Sequence, residues 1–274
     1  MSTDSSHIVL FDMDGTLTAA RKKASWSIVE PLLRLSNYAH IGIVTGSPME
    51  YLKQQCSILW SDIGSIDVDN MTLFPCNGTQ SYSYSHSEKE WAITSDTNMK
   101  NHMGANNYRQ TIREIFALQT SYADSHTDMP LTGNFISDRK SMVNWCPIGR
   151  DADALDREKF VQFDKKNRCR ESLKEELEYS LAETNVHNIV CTLGGNTSID
   201  IYPAGWDKTY VLRHLTSYTN TWFVGDKCDG HGNDRTLYDE LAPKGTSFKT
   251  LSPDNTIEII NKIVDKIKES HEAN

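Results

Sequence analysis

The stretch HIVLFDMDGTLT, residues 7–18, decides how this chain is read. Ile8 to Phe11 form an apolar run of strand length, and it ends abruptly in two aspartates, Asp12 and Asp14, one residue apart. Gly15 then permits a tight turn, and Thr16 and Thr18 add hydroxyls. Two carboxylates at the end of a buried strand repel each other unless a cation sits with them. A divalent metal at the carboxyl end of a parallel sheet would supply that cation. The bland alternative is a turn that happens to carry two acids; the strand, the spacing and the Gly-Thr pair argue against it.

Composition sets the frame around this stretch. Hydrophobic residues make up 38% and charged residues 24% of the 274, an ordinary globular balance with chain enough for one large core or two modest ones. No apolar run approaches the length of a membrane span, and the start MSTDSSHIVLF lacks the basic-then-apolar order of a secretory signal, so a cytoplasmic protein is expected. The six cysteines (Cys56, Cys76, Cys146, Cys169, Cys191, Cys228) are scattered without a C-x-x-C pair, which reads as reduced thiols and neither a disulfide framework nor a zinc site. A net charge of -9 argues against a nucleic-acid partner, and an anionic substrate would need local arginines to hold it.

Outward from the first strand, SIVEPLLRLSNY has helical apolar spacing, HIGIVTGS is a second β-branched run ending in Thr45-Gly46-Ser47, and PMEYLKQQCSIL reads as a helix with Pro48 in its first turn. Strand, helix, strand, helix indicates a parallel sheet with crossovers. Near residue 84 the texture changes. Residues 83–107 are polar and aperiodic, 107–123 have a helical period, 133–149 alternate like strands, 157–183 read as one long charged helix, and 188–203 alternate again. TNTWFVGDK, residues 219–227, is another apolar strand ending in acids, and TIEIINKIVDKIK is a closing helix. The expected fold class is α/β: a Rossmann-like parallel-sheet core of residues 1–84 and 202–274, interrupted by an inserted α+β cap of residues 85–201.

The pattern D-x-D-G-T-L-T resembles the signature of the haloacid dehalogenase-like phosphotransferases. That resemblance implies that Asp12 is a nucleophile toward phosphorus, forming an acyl phosphate, and that Asp14 is the general acid/base. It further implies that Thr45 donates to the phosphoryl oxygens; the lesser alternative for a Thr at that place is a helix N-cap. Lys208, in GWDK, would neutralise phosphate, and Asp226 and Asp234, in VGDKCDGHGND, would join Asp12 and Asp14 in gripping Mg2+, a hard cation that prefers oxygen ligands. A calcium-loop reading of VGDKCDGHGND fails on the spacing to any closing glutamate.

Three longer strings narrow the resemblance. DMDGTLTAAR, NFISDRKSMVNWCPIGRDADALDR and GGNTSIDIYPAGWDK together resemble the eukaryotic-type α-phosphomannomutase family over most of the chain from about residue 8, most densely from 139 to 240. The resemblance implies that Arg21 contacts substrate from the core, that Arg139, Arg150 and Arg157 clamp a distal phosphate, and that Ser198 and Asp200 hold the sugar. Taken singly, each arginine could be a solvated surface charge; guanidinium groups nonetheless suit bidentate phosphate recognition. Also implied are a phosphosugar substrate, a hexose 1,6-bisphosphate activator, a homodimer paired through the cap, and a place in mannose metabolism that feeds GDP-mannose biosynthesis. The expected reaction is interconversion of mannose 6-phosphate and mannose 1-phosphate; the alternative is a sugar-phosphate phosphatase in which water takes the phosphoryl group. A catalytically idle binding protein is disfavoured by the joint presence of both aspartates, Lys208 and Asp226. The chain departs from the family pattern at Thr45-Gly46-Ser47-Pro48, at Cys76-Asn77-Gly78, at His231 and across residues 80–130, which leaves room for a different acceptor or sugar.

Overall fold

The computed structural model describes residues 6–61, 66–230 and 232–272, so His231 lies outside the described residues. The chain divides into two compact units, residues 1–96 with 207–274, and residues 97–206. The first unit begins with β1 (His7–Phe11), α1 (Trp26–Leu35), β2 (His40–Val44), α2 (Met49–Cys56), β3 (Met71–Phe74), β4 (Gln80–Ser85) and β5 (Glu90–Asp96). The second holds α3 (Met99–Met103), α4 (Ala105–Ser125), β6 (Ile136–Asp138), β7 (Val143–Trp145), α5 (Ala154–Asn167), α6 (Cys169–Glu183), β8 (Ile189–Gly194) and β9 (Ser198–Pro203). The first unit resumes with a 3-10 segment (Lys208–His214), β10 (Asn220–Gly225), α7 (Arg235–Leu241), β11 (Ser247–Lys249) and α8 (Pro253–Glu272).

Among the described residues, the first unit is built on a seven-stranded sheet ordered β11-β10-β1-β2-β3-β4-β5. Pairing is parallel from β11 through β3 and antiparallel at β4 and β5. β1 is fully buried because the sheet is covered on both faces, which is why its sequence is a continuous apolar run. Val9 and Phe11 pack with Ile28, Leu32 and Leu35 of α1 and Ile260, Ile263 and Ile267 of α8. Ile8 and Leu10 point to the opposite face, among Val211, Leu215, Leu237 and Leu241. Each such side chain contributes about 1.5–3 kcal/mol by leaving water. The second unit is a four-stranded antiparallel sheet, β6-β7-β9-β8, packed with helices. The fold is thus α/β, with a mostly parallel central sheet and a separate small antiparallel one.

Two expectations give way. Residues 83–107 are not aperiodic: β4 and β5 form a hairpin that extends the first unit's sheet to residue 96, and α3 follows. β4 alternates as Ser81-Tyr82-Ser83-Tyr84-Ser85 with Tyr82 and Tyr84 toward the core, whereas β5 brings only Trp91 to the core among Glu90, Ala92, Ile93, Thr94, Ser95 and Asp96. The single helix expected over 157–183 is two, broken at Arg168, whose φ is +53°. Neither Gly nor Pro marks the break. The Asp164 carboxylate makes it, accepting from the Arg170 backbone N–H at 2.8 Å and from its Nε at 2.8 Å, and so satisfies donors at the start of α6.

Candidate active site

The carboxyl ends of three neighbouring parallel strands bring the acids together. Asp12 follows β1, Thr45 follows β2 and Asp226 follows β10, so their positions are set by the register Phe11–Val224 and Phe11–Ile43. The Asp12 N–H prolongs the ladder, donating to Val224 O at 2.9 Å. Crevices beyond the carboxyl ends of an open parallel sheet are where such folds bind ligands. Lys208 arrives from far along the chain, fully buried, with its ammonium ion-paired to both Asp12 and Asp234. Asp234, also fully buried, spends its other oxygen on the Lys227 N–H at 2.9 Å.

Charge at this cluster does not balance. One oxygen each from Asp12, Asp226 and Asp234 lie within 4.8 Å of one another, against the single buried ammonium of Lys208. Burial, reinforced by Asp234 and Asp226, outweighs Lys208 and pushes the Asp12 carboxyl up to about 7. Burial and Asp234 also raise Asp226. Burial acts upward on Asp234 too, but Lys208 and the Lys227 N–H hold it below the usual range. Lys208, despite burial, is held above its ordinary value by Asp12 and Asp234. The Oδ1 atom of Asp226 is buried with no hydrogen-bond partner. An orphaned carboxylate oxygen, surplus negative charge and an all-oxygen donor set fit a small divalent cation such as Mg2+.

The loop after Asp12 is wound tightly. Gly15 has φ +93°, and a Cβ there would stand 2.2 Å from Asp226 Oδ2, so only glycine lets Asp226 approach. Asp14 is not part of the acidic cluster; its Oδ1 accepts the Arg21 backbone N–H at 2.8 Å, while the Arg21 side chain is exposed. Thr45 is buried and its Oγ1 accepts the Ser47 N–H at 3.1 Å. It is not the N-cap of α2: that place is taken by Pro48, which stands just outside the helix and not in its first turn.

In the second unit, register places Asn144 of β7 directly opposite Asp200 of β9. The Asn144 amide donates to Asp200 Oδ1 at 2.6 Å, and its oxygen accepts Arg150 Nη1 at 2.7 Å. Gly194 makes room for this carboxylate, since a Cβ there would lie 2.6 Å from Asp200 Oδ2. Arg157 donates to Ala152 O at 2.9 Å, Thr197 Oγ1 at 3.1 Å and Arg150 O at 2.6 Å, bracing the loop that carries Arg150. Buried Arg170 donates to Gly195 O at 3.0 Å and Ser198 O at 3.2 Å, pinning the β8–β9 turn. Arg139 sits in the β6–β7 turn, its N–H on Met142 O at 2.9 Å.

The sequence profile of eukaryotic phosphomannomutase matches residues 28–266. The chain belongs to the eukaryotic phosphomannomutase family. Similar members include a phosphomannomutase of Arabidopsis thaliana, 31% identical over 251 residues that cover 91% of this chain and 93% of the relative. One from Encephalitozoon cuniculi is 32% identical over 270 residues, 97% of each chain. Solved structures with the same fold include an IMP-bound Plasmodium falciparum IMP-nucleotidase mutant, with a TM-score of 0.60 at 12% identity over 96% of this chain and 67% of that one. A trehalose-6-phosphate phosphatase related protein has a TM-score of 0.52 at 13% identity, covering 97% of this chain and all of the other. The match to the phosphomannomutase family runs through residues 80–130, where no motif is legible by eye.

Sequence reasoning missed Asn144, Arg170 and Thr197. Asn144 left one signal, a polar residue alternating with apolar ones in Val143-Asn144-Trp145 on a buried strand. Arg170 left none, being one charge among many in a charged stretch.

Proposed function

We propose that this chain is a phosphomannomutase that interconverts mannose 6-phosphate and mannose 1-phosphate through an aspartyl phosphate on Asp12 and a hexose 1,6-bisphosphate. The observation that carries the reading is the buried Lys208 joined to Asp12 and Asp234 beside the unpartnered Asp226 oxygen, on a chain of this family. Asp12 attacks phosphorus as the bond to the sugar oxygen breaks, and Asp14 delivers a proton to that oxygen. In the second half, Asp14 takes a proton from the accepting hydroxyl as the phosphoryl group leaves Asp12. Lys208 and Thr45 offset charge on the phosphoryl oxygens. Asp234 holds Lys208 in place.

Asp12 and Asp226 would hold Mg2+, with Asp234 next to them; the ion would supply further charge neutralisation around the phosphoryl group. The exposed side chains of Arg21 and Arg150, with Arg139, suit capture of the substrate, and Asp200 and Ser198 suit its hydroxyls. Arg157 supports Arg150. The reading extends to a cytoplasmic homodimer supplying mannose 1-phosphate for GDP-mannose formation; six buried cysteines, none of them in a disulfide, suit a reducing compartment. Among the described residues no helix is long and apolar enough to cross a membrane.

The test is an isomer assay on both mannose and glucose phosphates, with phosphate release followed in parallel, with and without bisphosphate. Bisphosphate-dependent isomerisation that is lost in Asp12→Asn supports the reading. Phosphate release without bisphosphate, at a rate matching substrate loss, would replace it with a phosphatase.

A further inference from the structure

Gln55 lies near the end of α2 and is buried, with its side-chain amide among three oxygens of the nucleophile loop. Donor counting fixes how that amide is turned. The Thr18 hydroxyl has one hydrogen, and Met13 O stands 3.2 Å from it. If the Gln55 oxygen faced Thr18 at 3.1 Å, it would compete for the same hydrogen and would also face Lys22 O and Asp14 Oδ1, which accept only. With the nitrogen in that place that conflict is removed. Nε2 then faces three acceptors with its two hydrogens, Lys22 O at 3.0 Å, Thr18 Oγ1 at 3.1 Å and Asp14 Oδ1 at 3.2 Å, and Thr18 gives its hydrogen to Met13 O. A charged carboxylate is the strongest of the three acceptors.

We propose that Gln55 is a positioning residue for Asp14. Its amide and the Arg21 N–H hold Asp14 Oδ1 from two sides, so that the other oxygen faces the reacting groups in one orientation. The side chain is short and the loop is anchored independently: Gly15 N donates to Thr18 O at 2.7 Å, and Ala24 N donates to Gln55 O at 2.8 Å. These backbone bonds keep α2 against the loop whatever the Gln55 side chain does. Losing the amide therefore frees one torsion of Asp14 and leaves the nucleophile Asp12 in place. This inference rests on the reading of Asp14 as the acid/base.

The experiment compares Gln55→Met, Asp14→Asn and the double variant on two substrates. Mannose 1-phosphate has a poor leaving group that needs a proton; p-nitrophenyl phosphate has a good one that does not. Gln55→Met should lower kcat on the sugar about 10- to 100-fold with little change in KM, reduce aryl phosphate hydrolysis at most about threefold, and cost nothing further in the Asp14→Asn background. Equal losses on both substrates, or a loss that adds to that of Asp14→Asn, would make Gln55 a packing residue and overturn the proposal. If Asp14→Asn is selective for the sugar and Gln55→Met is not, the proposal alone falls. If Asp14→Asn itself loses both activities equally, the acid/base reading falls and takes the proposal with it. Should Gln55→Met fail to fold, the parent chain labelled with 15N-glutamine answers instead: Asp14→Ala should shift the Gln55 Nε2 proton resonances, and unmoved resonances overturn the proposal.

Discussion

Replacing Lys208 with methionine keeps the volume of a fully buried side chain and deletes its charge. Two ion pairs vanish at once, and Asp12, Asp226 and Asp234 remain clustered without a buried counter-charge. Stranding one buried charge costs about 3–5 kcal/mol, so the metal-free variant should lose at least that much near pH 7.5. For a chain of this size the loss corresponds to a fall of about 6–20 °C in the melting midpoint. The pH dependence separates charge from packing. Without Lys208 the Asp12 carboxyl lies further above its unfolded value of 3.8 and Asp234 loses what holds it below that value, so the penalty is absent below it and grows as pH rises. Asp12, at about 7 in the parent, takes up its proton in both proteins. Asp234, charged in the parent, returns about 1.4 kcal/mol per pH unit once it protonates in the variant, so moving from pH 7.5 to 5.5 should recover up to about 3 kcal/mol of the difference. Urea melts of chelator-treated parent and variant at both pH values, followed by circular dichroism, measure it. Adding Asp234→Asn to the variant should restore part of the loss. A deficit below about 1 kcal/mol at pH 7.5, or one as large at pH 5.5, would refute the argument and leave Lys208 as a packing residue.

Gly15→Ala forces a Cβ against Asp226 at a φ of +93°, so magnesium affinity and turnover should both fall; calorimetric titration with the metal checks this, and unchanged affinity would contradict it. Arg157→Ala, which removes three donated hydrogen bonds, should destabilise the second unit by about 1–3 kcal/mol more than Arg150→Ala, as read by thermal melts. Burial depresses the His40 pKa to about 4, so stability is complete above its unfolded value of 6.5 and falls as pH drops toward 4. His40→Gln should flatten that fall by up to about 3 kcal/mol, measured from urea midpoints between pH 4 and 7. Burial pushes the thiols of Cys169, Cys191 and Cys228 up to about 12, so a thiol reagent at pH 8 should label none of them until urea unfolds the chain.

Much of the core could be read from local pattern, because a parallel strand covered on both faces must be apolar throughout. Ile8–Phe11, the β2 run and the strand before Asp226 are such segments, and α8 shows its buried stripe at helical spacing. The doublet Asp12-x-Asp14 announced a charge problem at a strand end before any coordinate was known. What the residues alone could not convey is how that problem is distributed. Lys208 meets Asp12 across 196 positions of chain, and only the sheet register brings Asp226 beside them while leaving Asp14 outside the cluster. The hairpin β4–β5 is poorly marked because the alternation of Ser81–Ser85 has no counterpart in β5, which brings only Trp91 to the core. The break at Arg168 was hidden because an aspartate side chain ends the helix there, and a charge in a charged run carries no local mark. Burial, pairing and counter-charge are properties of separate segments brought together, so for Asn144, Gln55, Arg157 and Arg170 tertiary structure decided the part each side chain plays.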